Sequence, residues 1–208
     1  MAERVLSDEA RARIAAAIAK AEARCQGEIV FVEAPRSADY ARWLVLPVAL
    51  ATLTVASIGH LLLPVPLLWL LASQAPLAGA FWWLANQRWL TLLLVPDVEE
   101  KNAVRGRALQ LFTEHSLFET SNRAGVLIYL SAFERRVEIL ADRGLNNVID
   151  ASTWQQHVQL IVKTIRTDQT AQGVCEAVDR VAERIAQEWG PPNPAKNVLP
   201  DVTGSSPG

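Results

Sequence analysis

GVLIYLSAFERRVEILADRG, residues 125–144, has the pattern of a β-hairpin that ends on an acid and a glycine. Residues 125–131 are apolar on both faces, which is typical of a strand in the interior of a sheet. The segment AFER turns the chain into a second β-rich run at 136–141. Because a two-stranded hairpin is at best marginally stable in water, these strands require a further strand from elsewhere in the chain.

The run EIVFVEA at 28–34 is the candidate for that further strand. It is rich in β-branched and aromatic residues and is closed by Pro35. The segment before it has apolar residues at helical spacing, with Ser7 as N-cap and Gly27 past the end. We therefore expect a helix and a strand to precede the hairpin in sequence and to pack with it in space.

A long uncharged run separates the first strand from the hairpin. Residues 43–87 contain no Lys, Arg, Asp or Glu, although 20% of the chain is charged. One membrane span needs about 20 apolar residues, so the run is long enough for two. The prolines at 64–66 supply a turn, which predicts transmembrane helices at 43–63 and 67–86. The alternative is a buried helical pair in a soluble protein.

Aromatic and basic residues flank the uncharged run on one side. The residues predicted to lie at the membrane interface are Trp43, Trp82, Trp83, Arg42 and Arg88. The opposite turn carries no charge, so the positive-inside rule places both termini in the cytoplasm, with two spans through the cytoplasmic (inner) membrane. The first 27 residues lack the basic start and short apolar core of a signal peptide, and we expect the N-terminus to stay where it is made.

Three further segments have helical periodicity. The first runs from about 96 to 117, and the third runs from about 170 to 189. The second begins at a capping box formed by Ser152 and Gln155. The order of elements predicts an α/β fold: a small mixed β-sheet sandwiched by helices, with an inserted transmembrane helical hairpin. Residues 1–42 and 88–190 then form one discontinuous domain around the hairpin at 43–87, and the tail at 191–208 is predicted to be disordered.

Composition limits the partners and the chemistry. A formal net charge of −2 argues against a nucleic-acid partner. Cys25 and Cys175 are too far apart in sequence for a zinc-ligand pair and are predicted to be reduced core thiols. The predicted partners are the lipid bilayer and either a membrane protein or a second copy of the chain, because Ala75 and Gly79 allow close helix packing.

The soluble segments resemble the TPM domain family, and in particular its bacterial members with a transmembrane hairpin. The resemblance rests on Glu28-Ile29-Val30, on residues 125–128 and on the run ERRVEI at 134–139, in that order and spacing. It implies an α/β sandwich and a divalent ion such as calcium, which some members bind. It also implies either a phosphatase activity, proposed for some members, or a role in assembling or repairing membrane complexes.

Many soluble members of that family carry Gly-Tyr-Gly-Leu-Glu after the second hairpin strand, with an aspartate a few residues on. Here the corresponding residues read ADRGLN at 141–146, and Asp150 lies one position closer. Asp142 and Asp150 are therefore the candidate metal ligands, since hard cations prefer several oxygen ligands on a loop. Both also fit structural roles, Asp142 in turn chemistry and Asp150 ahead of a helix start.

The sequence motifs of covalent phosphatases are absent. Six positions after the two cysteines stand Phe31 and Val181 where a phosphate-binding arginine would be needed, and no Asp-x-Asp occurs. No catalytic residue is therefore assigned. The first hypothesis is a membrane-anchored TPM-domain protein acting as a non-catalytic interaction or assembly module on the cytoplasmic membrane face. The alternative is a metal-dependent phosphatase.

Overall fold

A computed structural model describes residues 6–63, 66–120, 123–146, 170–190 and 202–204 of the chain. The chain divides into two compact units. Residues 1–37 and 103–208 form the α/β unit, and residues 38–102 form the helical unit. The helices are α1 (Asp8–Glu22), α2 (Ala41–Leu62), α3 (Leu67–Ala85), α4 (Arg88–Leu94), α5 (Asp97–Glu114), α6 (Arg143–Asn146) and α7 (Thr170–Trp189), with a 3₁₀ turn at Leu117–Glu119.

The sheet of the α/β unit contains β1 (Glu28–Ala34), β2 (Gly125–Ser131), β3 (Arg136–Ala141) and β4 (Val202–Gly204), in the order β3-β2-β1-β4. β1 pairs with β2 in parallel along its whole length, from Glu28 opposite Gly125 to Ala34 opposite Ser131. β3 is antiparallel to β2. The mixed sheet and the bounds of β1, β2 and β3 are as the sequence predicted.

The tail differs from its prediction of disorder. Val202–Gly204 forms β4, which pairs in parallel with Phe31 to Glu33 of β1. The outer edge of β1 leaves backbone donors and acceptors available, and a short Val-Thr segment is suited to pair with them. The rest of 191–208 lies outside the described residues.

Apolar side chains cover both faces of the sheet. On one face, α1 and α7 pack against alternate strand residues such as Ile29, Val126 and Ile128. On the other face, α5 packs against Val30, Leu127 and neighbouring residues. The predicted core positions of α7 are fully buried: Val174, Ala177, Val178, Val181 and Ile185. The sheet is therefore sandwiched by helices, and β1 and β2 are buried on both sides.

One helix ends earlier than the sequence predicted, and one short helix was not predicted at all. The helix predicted from 96 to 117 ends at Glu114, because Ser116 adopts a left-handed conformation with φ of 52° and starts a 3₁₀ turn. The short helix α4 was not predicted. The predicted helix that opens at Ser152 lies outside the described residues.

The helical unit is built on the pair α2 and α3. Both helices are long and apolar enough to cross a membrane by length and composition. Leu44 and Val48 of α2 pack with Ala85 at the end of α3, so the start of α2 lies beside the end of α3. Thr52 is buried and satisfies its hydroxyl by donating to the carbonyl of Val48 at 2.7 Å.

Two glycines provide a matched test of the packing. A Cβ on Gly125 would overlap the Leu117 carbonyl oxygen and lie 3.0 Å from its carbon, whereas Gly106 in α5 has no atom within 4 Å of such a Cβ. Gly125→Ala should therefore lower the stability by about 1–3 kcal/mol. Gly106→Ala should raise it by up to about 1 kcal/mol, since alanine favours a helix. Thermal melts of the two variants check this, and equal melting temperatures would contradict the close approach at Gly125.

Candidate functional site

Glu134 occupies the turn that follows β2, at the end of the sheet where the carboxyl ends of β1 and β2 meet. Ligands of open α/β sheets bind at this end. The Glu134 residue is only 5% exposed. Its carboxylate accepts hydrogen bonds from the backbone N–H of Ser37, at 3.1 and 3.3 Å, and from the hydroxyl of Ser131. The side chain of this turn residue is therefore buried, and its hydrogen bonds hold the segment that follows β1.

Tyr129 extends this arrangement into the core. Its hydroxyl lies 3.0 Å from the Ser37 hydroxyl. Burial raises the pKa of the Tyr129 phenol, and hydrogen bonds to Ser37 and Ser131 partly offset the rise. The phenol is therefore neutral at physiological pH and acts as a hydrogen-bonding group. Ser37, Tyr129, Ser131 and Glu134 are called the strand-end cluster below.

Two arginines are adjacent in sequence to members of the strand-end cluster, Arg36 to Ser37 and Arg135 to Glu134. The Arg36 guanidinium stacks over the Phe133 ring, 4.4 Å from its centroid. Arg135 is exposed and has a φ of 51°, as the tight turn between β2 and β3 requires. The polar groups of the strand-end cluster itself bond to one another and to the backbone of Ser37, so the cluster fixes the chain that follows β1.

Glu33, near the end of β1, is a second buried carboxylate that binds groups from another segment of the chain. It is buried, and its carboxylate accepts from the backbone N–H of Leu6 at 3.1 Å and from the Arg11 guanidinium at 2.6 Å. The ion pair ties α1 to the sheet. Buried carboxylates at this sheet end therefore position the segments before α1 and before α2.

Asp142 lies at the opposite end of the sheet, directly after β3. It is 7% exposed. One carboxylate oxygen accepts from the backbone N–H of Arg143 at 2.7 Å, and the backbone N–H of Asp142 donates to Gly125 at 2.9 Å. Within the described parts of the chain, Oδ2 is buried and has no hydrogen-bond partner. Asp142 therefore ends the strand and also has a carboxylate oxygen that a cation could satisfy.

Asp142 fits one position of a cation site. Asp150, its predicted partner, lies outside the described residues, as do Asn147 and Ser152. Among the described residues, no three His, Cys, Asp or Glu side chains are grouped as metal ligands. The other residues that the sequence offers as ligands beside Asp142 therefore lie outside the described part of the chain.

Burial shifts the pKa of three further groups in the α/β unit. It raises the pKa of Glu138 on β3, and the charge of Arg105 on α5 opposes the rise. It also raises the pKa of the Cys25 and Cys175 thiols, which disfavours the reactive thiolate. Cys25 is buried as predicted, but Cys175 is only half-buried, because its position on α7 lies at the rim of the core.

The predicted interface residues lie near the adjoining ends of α2 and α3. Trp43 is in the first turn of α2, and Trp82 and Trp83 are in the last turn of α3. Arg42 pairs with Glu99 at 2.9 Å, and Arg88 begins α4. The structure thus gathers these aromatic and basic side chains at one end of the helix pair.

Sequence reasoning missed the strand-end cluster. In the sequence, Glu134 is an acidic residue in a turn, where solvent exposure is the usual expectation. Its partner Ser37 is distant in sequence, and the apolar helices lie between the two residues along the chain. The available signals were Tyr129 within an aliphatic strand and Ser131 at its end. Neither indicates which distant residue completes the group.

Comparison with known proteins agrees with this fold. Residues 86–184 match the family described as the TPM domain. No curated protein matches the chain in sequence. The fold is similar to the NMR structure of BA42 protein from the psychrophilic bacterium Bizionia argentinensis, with a TM-score of 0.60 over 98% of this chain and 97% of that chain at 16% identity. At that identity the likeness bears on the fold alone. The chain therefore contains a TPM domain, as its resemblance to that family predicted.

Proposed function

We propose that this chain is a membrane-anchored TPM-domain protein whose α/β unit is a non-catalytic interaction or assembly module on the cytoplasmic face of a bacterial inner membrane. The apolar surface of α2 and α3 carries the proposal. Leu61 is 84% exposed and Trp83 is 68% exposed. A large exposed apolar surface on helices of this length is suited to lipid and unfavourable in water.

The flanking residues support the anchor and its orientation. Trp43 and Trp83 lie at adjoining helix ends, where an interfacial aromatic belt would hold them. Arg42 and Arg88 lie at the same ends, and residues 43–87 between them are uncharged. By the positive-inside rule, both termini are cytoplasmic.

The structural role of the carboxylates at one end of the sheet favours an interaction module over an enzyme. At the carboxyl ends of β1 and β2, Glu33 and Glu134 accept hydrogen bonds from backbone N–H groups of Leu6 and Ser37. These carboxylates hold the chain in place at the position where α/β enzymes present reacting groups. The partner of such a module is a membrane protein or a second copy of the chain.

Cysteine labelling tests the anchor and its orientation. In a C25A/C175A background, Leu63→Cys at the end of α2 should react with a membrane-impermeant reagent in intact cells. Lys20→Cys and Gln187→Cys, both at exposed positions of the α/β unit, should react only after permeabilisation. The reverse pattern would invert the orientation, and recovery of the chain in the soluble fraction would eliminate the anchor.

A bound cation is supported by Oδ2 of Asp142, which is buried and has no hydrogen-bond partner among the described residues. The alternative function, a metal-dependent phosphatase, also requires a cation. We infer that Asp142 and Asp150 bind a divalent cation such as calcium. Calcium at a hundred times Kd should then stabilise the purified chain by about 2.7 kcal/mol. The variant D142N/D150N should lose the accompanying rise in melting temperature, and Glu114→Gln on α5 should keep it.

Activity assays on the same samples distinguish the interaction module from the phosphatase. After chelation and return of calcium or magnesium, the wild type should hydrolyse no member of a phosphoester panel, and repeated purifications from native membranes should recover the same proteins. Turnover that depends on metal and is lost in D142N/D150N would contradict the module and establish the phosphatase. A calcium effect that survives the double substitution would remove the cation from this loop.

A further inference from the structure

The short helix α4 packs back onto the base of the α2–α3 pair. Thr91 is fully buried, and its hydroxyl donates to the carbonyl of Ala85 at 2.8 Å. Leu94 packs with the cluster formed by Leu44, Val48 and Ala85. This side of α4 therefore belongs to the same apolar unit as the two long helices.

The turn between α3 and α4 is closed by side-chain amides. Asn86 donates to the carbonyl of Trp82 at 2.9 Å, and Gln87 donates to that of Trp83 at 3.2 Å. The Trp82 carbonyl also accepts from the backbone N–H of Asn86, whereas the bond from Gln87 supplies a donor to a carbonyl in the last turn of α3. A helix end closed in this way does not depend on water for its hydrogen bonds.

The opposite side of α4 is apolar and exposed. Trp89 is 64% exposed and Leu93 is 73% exposed, and their spacing of four residues places them on one helix face. Val98, shortly beyond, is also exposed. Residues 89–96 carry no charge. Trp83, six residues before Trp89 in the last turn of α3, is exposed as well.

Length and composition indicate where such a helix lies. A helix of this length extends about 10 Å, which is far short of the roughly 30 Å hydrocarbon core. Tryptophan favours the boundary between headgroups and acyl chains. Charges return at Asp97, which pairs with Lys101 at 2.6 Å, and at Glu99, which pairs with Arg42 at 2.9 Å. The change from apolar to charged residues follows α4 directly.

We propose that α4 lies in the headgroup–acyl boundary of the bilayer and inserts Trp89 and Leu93 among the lipids. The membrane-embedded part of the chain then has three helices, two that span and one that lies in the interface. This inference rests on the proposal that α2 and α3 span the membrane. Lipid is the occupant because α4 packs onto the base of the α2–α3 pair and its exposed residues Trp89 and Leu93 lie in a segment without charge.

Spin-label depth measurements test the placement. In a C25A/C175A background, nitroxide labels are attached at Leu93→Cys on α4, at Leu53→Cys on the exposed side of α2 and at Thr113→Cys on the exposed side of α5. The labelled chains are reconstituted in phosphatidylethanolamine–phosphatidylglycerol vesicles. Collision rates with oxygen, which partitions into the bilayer, and with a water-soluble nickel complex then report depth.

The label at position 93 should collide with nickel several-fold less often than the label at 113, and should report a depth between those at 113 and 53. Nickel access equal to that at 113, with 53 deep, would overturn the inference and leave the anchor intact. Protection of 93 from both reagents would mean that protein covers α4, which also overturns it. Free nickel access at 53 would overturn the spans themselves.

Discussion

The parallel pairing of β1 with β2 is the interaction on which the α/β unit depends. β1 precedes the apolar helices and β2 follows them, yet the strands are in register from Glu28 and Gly125 to Ala34 and Ser131. A parallel pair requires a crossover between its strands. Here the crossover contains α2, α3, α4 and α5. The sheet therefore joins two parts of the chain that the apolar helices separate.

Two buried carboxylates hold segments of the chain against the sheet, and one of them links the two separated parts. Glu134 binds the backbone of Ser37, the last residue of the α/β unit before the chain continues into α2. Glu33 binds the backbone of Leu6 and the side chain of Arg11. Removing one partner of such a buried group leaves a polar atom unsatisfied.

Residues 86–184 match the TPM family, so β1, in the middle of the sheet, comes from outside the matched segment.

The sequence predicted regular elements better than their contacts. Runs rich in β-branched and aliphatic residues located β1, β2 and β3. Helical periodicity located α7 at Thr170–Trp189, because burial of one helix face leaves a periodic pattern. The helix α4 was not predicted, because Arg88 ends the uncharged run and so marks the end of the apolar segment. Residues 89–96 are nevertheless uncharged again. The strand-end cluster could not be predicted, because the bond between Ser37 and Glu134 depends on the register of β1 with β2.

Replacement of residues 41–95 by a flexible linker tests the pairing most directly. The linked chain should be soluble and melt in one cooperative transition, since β1 can still pair with β2. Val30→Pro in that chain should abolish the transition, because Val30 is buried opposite Leu127 in an interior strand of the sheet. The fragment 96–208, which lacks β1, should not fold. A cooperative melt of that fragment at the temperature of the linked chain would contradict the account.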